Sequence, residues 1–326
     1  MPVREEDVIA AYRLILGRYP ESEDVVKRHS SVSNVHQLRD AFLDSEEFRQ
    51  KYANRRKADI QDLTLYLPVT VPALSIDVAC PAPERRLLLE RVASIWKKLG
   101  QERPHWSVLT DSKFLPDSID HNVDEFHRSG ADDLKIIRAL LARCVPQFEL
   151  RVADITEYGC GIGRVTTHLA RACKAVFACD VSQSHLDLAS EHIRRENLAN
   201  VSFHLVTEDE LNPAPECDLW FSRLVLQHNP PPVIAAILER AFAKIRPGGV
   251  AIFQVPTYWT GYSFRLSNYL KAPPSPEMEM HVIPQQDVFR IAASCGFLPT
   301  EVREDNSVGA PHMAVSSVFC FVKQRK

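Results

Sequence analysis

Glycine is scarce in this chain, at 11 of 326 residues. A sequence so sparing of it keeps it where the backbone needs a residue without a side chain. Three of the 11 lie within Gly159–Gly163, and two more are adjacent at Gly248–Gly249. Long apolar runs are missing too: none approaches the roughly 20 residues that span a bilayer, which argues against membrane insertion. No excess of either charge exists. The net charge is −3 at neutral pH, so there is no global electrostatic footprint for nucleic acid or an anionic membrane. Paired cysteines are absent as well. Cys80, Cys144, Cys160, Cys173, Cys179, Cys217, Cys295 and Cys320 occur singly, with no Cys-x-x-Cys and no histidine at zinc-site spacing. This pattern predicts reduced core thiols in a cytoplasmic protein, not a disulfide framework. The charged, helix-patterned start MPVREEDVIA does not read as a secretory leader. No carboxylate cluster at ligand spacing stands out, so no metal is assigned.

What is present is an ordinary globular composition, 45% hydrophobic and 25% charged, in a chain long enough for about two domains. Residues 1–53 read as a small helical domain. Val8, Ile9, Tyr12, Leu14, Ile15 and Leu16 form an apolar stripe, and Gly17 stands where a C-terminal cap belongs. A second helix is predicted near Val35–Phe42, then an N-cap at Ser45 ahead of Glu46 and Glu47. The run AYRLILGRYPESEDVV…LRDAFLDSEEFRQKY resembles a small helical domain of unknown function often fused to bacterial glycosyltransferases and methyltransferases. That resemblance leaves a protein partner open for it; a generic helical extension is the plainer reading.

Residues 54–83 read as a linker. They carry a solvated basic triplet (Arg55-Arg56-Lys57), several prolines and one edge strand near Leu74–Val78. Residues 84–147 form a helical cap: a helix from Glu84 with Leu88, Val92, Ile95, Trp96 and Leu99 on one face, ending at Gly100. Two further helices are expected over Asp117–Ser129 and Ala131–Cys144. Beyond residue 148, strand-like runs (Val152–Tyr158, Ala175–Asp180, Val201–Val206, Asp218–Ser222, Val250–Val255) alternate with helical ones (Arg164–Cys173, Gln183–Glu196, Val233–Ile245). That alternation predicts an α/β fold, a doubly wound and mostly parallel sheet, with ligands beyond the carboxyl ends of its strands.

The run Glu157-Tyr158-Gly159-Cys160-Gly161-Ile162-Gly163-Arg164 follows a predicted strand and opens a helix. A dinucleotide fingerprint needs a small third residue where Arg164 stands, so the glycines run Gly-x-Gly-x-Gly after a carboxylate instead. This resembles motif I of the class I S-adenosylmethionine-dependent methyltransferases, whose fold is Rossmann-like. Arg246-Pro247-Gly248-Gly249 and the stretch Asp218–Ser222 leading to Leu226-Gln227-His228 extend the likeness over about residues 150–325. The resemblance implies S-adenosyl-L-methionine as cofactor. Glu157 would face its cationic side, Gly159, Cys160, Gly161 and Gly163 would line the methionine part, and Asp180 would hold the ribose, with Arg164 and Val181 also counted as cofactor-binding. Ser222 and Arg223 would lie near by. Thr207 stands where the family usually places an aspartate for the adenine amine, with Glu208 or Asp209 as a substitute after a one-residue shift.

Methyl transfer from a sulfonium is an in-line displacement, aided by a base when the acceptor is a hydroxyl. His228 after the fourth strand and His281 are the candidate bases; a capping histidine and a solvated loop histidine are their plainer readings. Residues 257–284 form an insertion carrying Tyr258, Trp259, Tyr262, Phe264 and Tyr269. It is expected to be a lid in which Tyr258, Trp259, Tyr262, Arg265 and Glu279 wall the acceptor, or else a satellite hydrophobic cluster. The expected function is O-methylation of a small molecule or glycan. A non-catalytic cofactor-binding scaffold and an NAD-dependent oxidoreductase are the alternatives.

Overall fold

A computed structural model describes residues 3–16, 18–48, 72–305, 308 and 314–325. Gly17, the basic triplet at 55–57 and most of the expected linker lie outside the described residues. The chain divides into two units, Met1–Pro72 and Ala73–Lys326.

In the first unit, a helix Glu5–Ala11 runs on into a wider π-type turn, Tyr12–Leu16. Helices Glu23–Ser30 and Val35–Leu43 follow, capped by the Ser22 hydroxyl and the Asn34 amide. Phe48 N–H donates to Ser45 Oγ at 3.1 Å, so Ser45 caps as its spacing predicts. Val8, Tyr12, Leu16, Val26, Leu38 and Phe42 make the core, with Tyr12 edge-on to Phe42. Leu14 does not join them. It is 82% exposed, because the buried face is set by positions 8, 12 and 16 and Leu14 points away from it.

In the second unit, seven strands form one sheet in the order β4-β3-β2-β5-β6-β9-β8. They are β2 (Asp154–Tyr158), β3 (Ala175–Asp180), β4 (Val201–Leu205), β5 (Cys217–Ser222), β6 (Ile245–Trp259), β8 (Phe297–Asp305) and β9 (Ala314–Lys323). β2 to β6 are mutually parallel, and β9 alone runs antiparallel to both its neighbours. The fold is Rossmann-like α/β. Chain order reverses between β2 and β5, which puts the topological switch point at their carboxyl ends. At the opposite edge Arg246 bridges Asp154 and Asp218 at 3.0 and 2.9 Å and anchors the strand starts. Apolar residues on both sheet faces form two large clusters, one containing Trp220, Phe253 and Phe319, the other Ile155, Leu219 and Ile252. Among the described residues no helix is long and apolar enough to cross a membrane.

Two glycines behave differently from the sequence expectation. The cap helix runs Ala82–Glu102, through Gly100. A side chain there would come within 2.4 Å of Ser182 Oγ, so Gly100 marks a close approach rather than a helix end. The two helices expected on either side of Gly130 are one, Val123–Cys144. A Cβ at Gly130 would lie 2.1 Å from the carbonyl oxygen of Arg164. In both places a cost of roughly 1 kcal/mol in helix propensity lets one element press on another.

Candidate active site

A buried cavity opens at the carboxyl ends of β2, β3 and β5, under the cap helix and the short helix Pro104–Val108. Its sheet-side wall includes Glu157, Gly159, Cys160, Gly161, Arg164, Asp180, Val181 and Arg223. Gly159 and Gly161 adopt φ of +77° and +53°, conformations that a side chain would strain. A Cβ on Gly159 would sit 2.3 Å from Val225, and one on Gly161 2.6 Å from Val108 of the cap. The turn is therefore shaped by its contents as well as its dihedrals. The Gly161 N–H donates to Asp180 Oδ2 and the Ser182 N–H to Asp180 Oδ1, both at 2.9 Å. These bonds aim the β3 carboxylate at the glycine turn.

Glu157 is buried at the end of β2, where its carboxyl accepts from the Thr166 hydroxyl at 2.6 Å. Burial pushes its pKa up to about 8, against the opposing pull of Thr166 and Arg164. Arg164 is buried as well and pairs with Asp133 at 2.7 Å; Asp133 also holds Arg223 at 2.8 Å. Arg164 Nε has no hydrogen-bond partner among the described residues. The cavity thus presents a protonatable carboxyl and a guanidinium donor side by side.

The other predicted residues lie off the cavity wall. Gly163 (φ +83°) packs on Ala189, and Ser222 donates to the Tyr158 carbonyl at 3.0 Å. Thr207 closes its own turn by accepting from the Glu210 N–H at 3.1 Å, and Val206, one residue earlier, meets the cavity in its place and that of Glu208. His228 packs edge-on against Trp96, with ring centroids 5.1 Å apart. Burial drives its pKa down to about 4, so the ring is neutral and its Nδ1–H donates to the Glu279 carbonyl at 2.9 Å. His281 is buried beside Tyr262 (2.9 Å) and Glu279 (3.3 Å), and Tyr269 donates to the same Glu279 carboxylate. Tyr258 and Trp259 continue β6, paired with Val315 and Ala314 of β9.

Arg265 turns to Asp77 at 2.9 Å, where β7 (Ser263–Phe264) pairs with β1 (Ser75–Ile76). The segment 257–284 is thus a self-satisfied cluster. Among the described residues none of it lines the cavity, and its polar groups are used on one another and on neighbours that include Asp77, Arg91 and His228.

The opposite wall was not foreseen. It comprises Leu89, Val92, Trp96, Ser107 and Val108 from the cap; His185 of the helix after β3, Phe221 of β5, and Leu224, Val225 and Asn229 beyond it also line the cavity. The apolar stripe of the cap helix signals burial, but not what it buries against. Leu224 carries a signal visible only in three dimensions: its φ is +61°, and its N–H donates to the buried Gln254 amide at 2.9 Å.

Residues 155–249 match the family described as methyltransferase domain. This region is a methyltransferase domain. A ubiquinone biosynthesis O-methyltransferase of Acinetobacter baylyi is 27% identical over 30% of this chain and 42% of that protein. A trans-aconitate 2-methyltransferase of Methylobacterium nodulans is 33% identical over 46% of this chain and 53% of that protein. The chain thus spans about half the length of the curated relatives it matches. Among solved structures, magnesium protoporphyrin IX methyltransferase from Synechocystis with bound S-adenosylhomocysteine superposes with a TM-score of 0.50 at 16% identity. That match covers 72% of this chain and all of the other, and it agrees with the methyltransferase domain in fold.

Proposed function

We propose that the chain transfers the methyl group of S-adenosylmethionine to a hydroxyl oxygen of a small acceptor with an apolar body. The observation that carries this reading is the convergence of Glu157, the left-handed glycine turn, Arg164 and Asp180 on one buried cavity. Each fits a different part of the cofactor. Glu157, uncharged below about pH 8 by burial, gains a reason to ionise beside an ammonium. Arg164 Nε, buried without a hydrogen-bond partner among the described residues, suits the carboxylate of the same amino-acid group. Asp180 keeps acceptor capacity beyond its two backbone bonds for the ribose diol.

S-adenosylmethionine, when bound, supplies a methyl group already activated on a sulfonium. The chain has to orient the acceptor and keep the site dry, and such positioning supplies much of the acceleration of a bimolecular displacement. Leu89, Val92 and Trp96 of the cap and Val225 opposite offer an apolar wall for this purpose. That wall favours an acceptor with apolar surface over a glycan, and the likeness to ubiquinone biosynthesis O-methyltransferases supports oxygen as the receiving atom. His228 packs edge-on against Trp96 and is not among the residues that line the cavity, and His281 is bound up with Tyr262 and Glu279, so this reading assigns proton removal to neither.

The test is release of S-adenosylhomocysteine by the purified chain over hydroxylated aromatic, aliphatic and sugar acceptors. Turnover with apolar hydroxylated compounds is expected. Cofactor binding without turnover on any of them would favour a scaffold, and heat with NAD but not S-adenosylmethionine would overturn the reading altogether.

A further inference from the structure

His185 was not singled out by any motif, yet it sits on the cavity wall at 1% exposure. It occupies the first turn of the helix Gln183–Arg195, and its ring spans two parts of the fold. Nε2 lies 2.9 Å from the Ser107 hydroxyl, on the short helix that covers the glycine turn. Nδ1 lies 3.7 Å from Asp180 Oδ1, beyond hydrogen-bonding distance, and has no hydrogen-bond partner among the described residues. Both groups are buried, where an unpaired polar atom is costly. Asp180 has used each oxygen once on a backbone N–H and can accept again.

We propose that His185 is a second ribose-binding residue, reading one hydroxyl of the nucleoside jointly with Asp180 and tying it through Ser107 to the cap. The proposal rests on the cofactor reading above. A hydroxyl oxygen between the two groups accepts from Nδ1–H and donates to the Asp180 carboxylate. With the proton on Nδ1, Nε2 is left as an acceptor, and the single Ser107 O–H, within reach of both Nε2 at 2.9 Å and the Pro104 carbonyl at 2.8 Å, is shared between them. The neighbouring carboxylate favours that tautomer. Nucleoside, β3 and cap are thereby joined in one chain of hydrogen bonds. Gly100 permits it, since a side chain there would lie 3.2 Å from His185 Cε1 and 2.4 Å from Ser182 Oγ, prising the cap off this helix.

A structural histidine and a ligand-reading one differ in how they respond to the ligand's own hydroxyls. Calorimetry on the full chain with S-adenosylhomocysteine and with its 2′-deoxy and 3′-deoxy counterparts separates them. In the unsubstituted protein one deoxy compound is expected to bind about 5-fold or more weakly, the loss of a hydrogen bond to a buried partner. In His185→Phe the parent compound weakens by a few-fold, and that deoxy penalty shrinks to the part that Asp180 alone supplies. His185→Asn, whose amide nitrogen can replace Nδ1, restores most of both. Ser107→Ala, which leaves the ring in place but unheld, shows a reduced penalty.

Equal deoxy penalties in the unsubstituted protein and His185→Phe would overturn the proposal while leaving the cofactor reading intact. Should His185→Phe fail to fold, equal penalties in Ser107→Ala and the unsubstituted protein overturn it instead. Absence of S-adenosylhomocysteine binding to folded, unsubstituted protein overturns the cofactor reading first.

Discussion

The two walls of the cavity are built by different means. The sheet-side wall is ordered by backbone: a left-handed turn at Gly159 and Gly161, with the Gly161 amide bound to Asp180, lies beside Glu157 and Arg164. At the two glycines a side chain is excluded by dihedral angle and by collision, so few residue types can occupy those positions. The cap-side wall is an amphipathic helix that presents Leu89, Val92 and Trp96. Any apolar residue of similar size satisfies its packing. One wall is therefore specified to the atom and the other only by volume. A cofactor common to a family suits the first, and an acceptor that varies suits the second.

The sharpest way to break this contrast is at Gly161. An alanine there takes on left-handed strain of roughly 1–2 kcal/mol and a collision with Val108. Affinity for S-adenosylhomocysteine should fall by about 30-fold or more by calorimetry. Adding Val108→Ala should recover part of the loss, because it removes the collision and leaves the dihedral strain. Full recovery would mean that packing alone shapes the turn, and the contrast between the walls would fail.

Glu157 comes next. With its pKa raised to about 8, ligand binding at pH 7 should expel a proton as the carboxyl ionises beside a cation. The binding enthalpy then varies with the ionisation enthalpy of the buffer, and Glu157→Gln abolishes that variation while weakening binding about 10-fold, the scale of a charged hydrogen bond. Stability carries the same signature. A carboxyl whose folded pKa lies above 4.5 stabilises fully below 4.5 and loses that contribution as pH rises towards 8.

The histidines that pack around the cap do the opposite. His127 stacks on His192 at 3.6 Å and meets His105 of the cap; burial lowers it to about 3, as it lowers His228 to about 4. Each stays neutral when folded, so stability is lost as pH falls below about 6.5, where the unfolded ring takes up its proton. Thermal melts of ligand-free protein should therefore slope down on both sides. His127→Phe should make only the acid side shallower, leaving the share that His228 contributes, and Glu157→Gln only the alkaline side.

How much of this was legible in the sequence follows the same division. The glycine turn, Glu157 and Asp180 were readable because local backbone geometry admits so few alternatives, and β3 was bounded correctly at Ala175–Asp180. Gly100 and Gly130 were misread as helix ends, since a glycine that admits a distant neighbour looks the same in sequence as one that ends a helix. His185 was passed over because its partners, Ser107 and Asp180, come from separate elements. The aromatic cluster of 257–284 pointed to a lid because its composition is that of a binding surface. The composition could not show that Tyr262, Tyr269, Glu279 and His281 satisfy one another.

Trp96 tests whether the cap wall belongs to the acceptor. It lines the cavity and packs edge-on against His228. Trp96→Leu keeps an apolar surface, so affinity for S-adenosylhomocysteine should change less than about 3-fold, while the acceptor KM rises about 5- to 10-fold for the 1 kcal/mol or so of lost aromatic contact. An equal loss on both would give this wall to the cofactor instead.

The smallest effect is expected at Arg265, and it separates the satellite cluster from the cavity. The guanidinium is half exposed and pairs with Asp77, and an exposed pair of this kind contributes about 0–1 kcal/mol. Arg265→Ala removes that pair and leaves the backbone pairing of β1 with β7 in place. Melting temperature should move by a few degrees at most, with kcat and the acceptor KM unchanged. A kinetic change without a change in melting would return this residue to the acceptor wall, because loss of an exposed ion pair cannot reach the cavity through packing that has not moved.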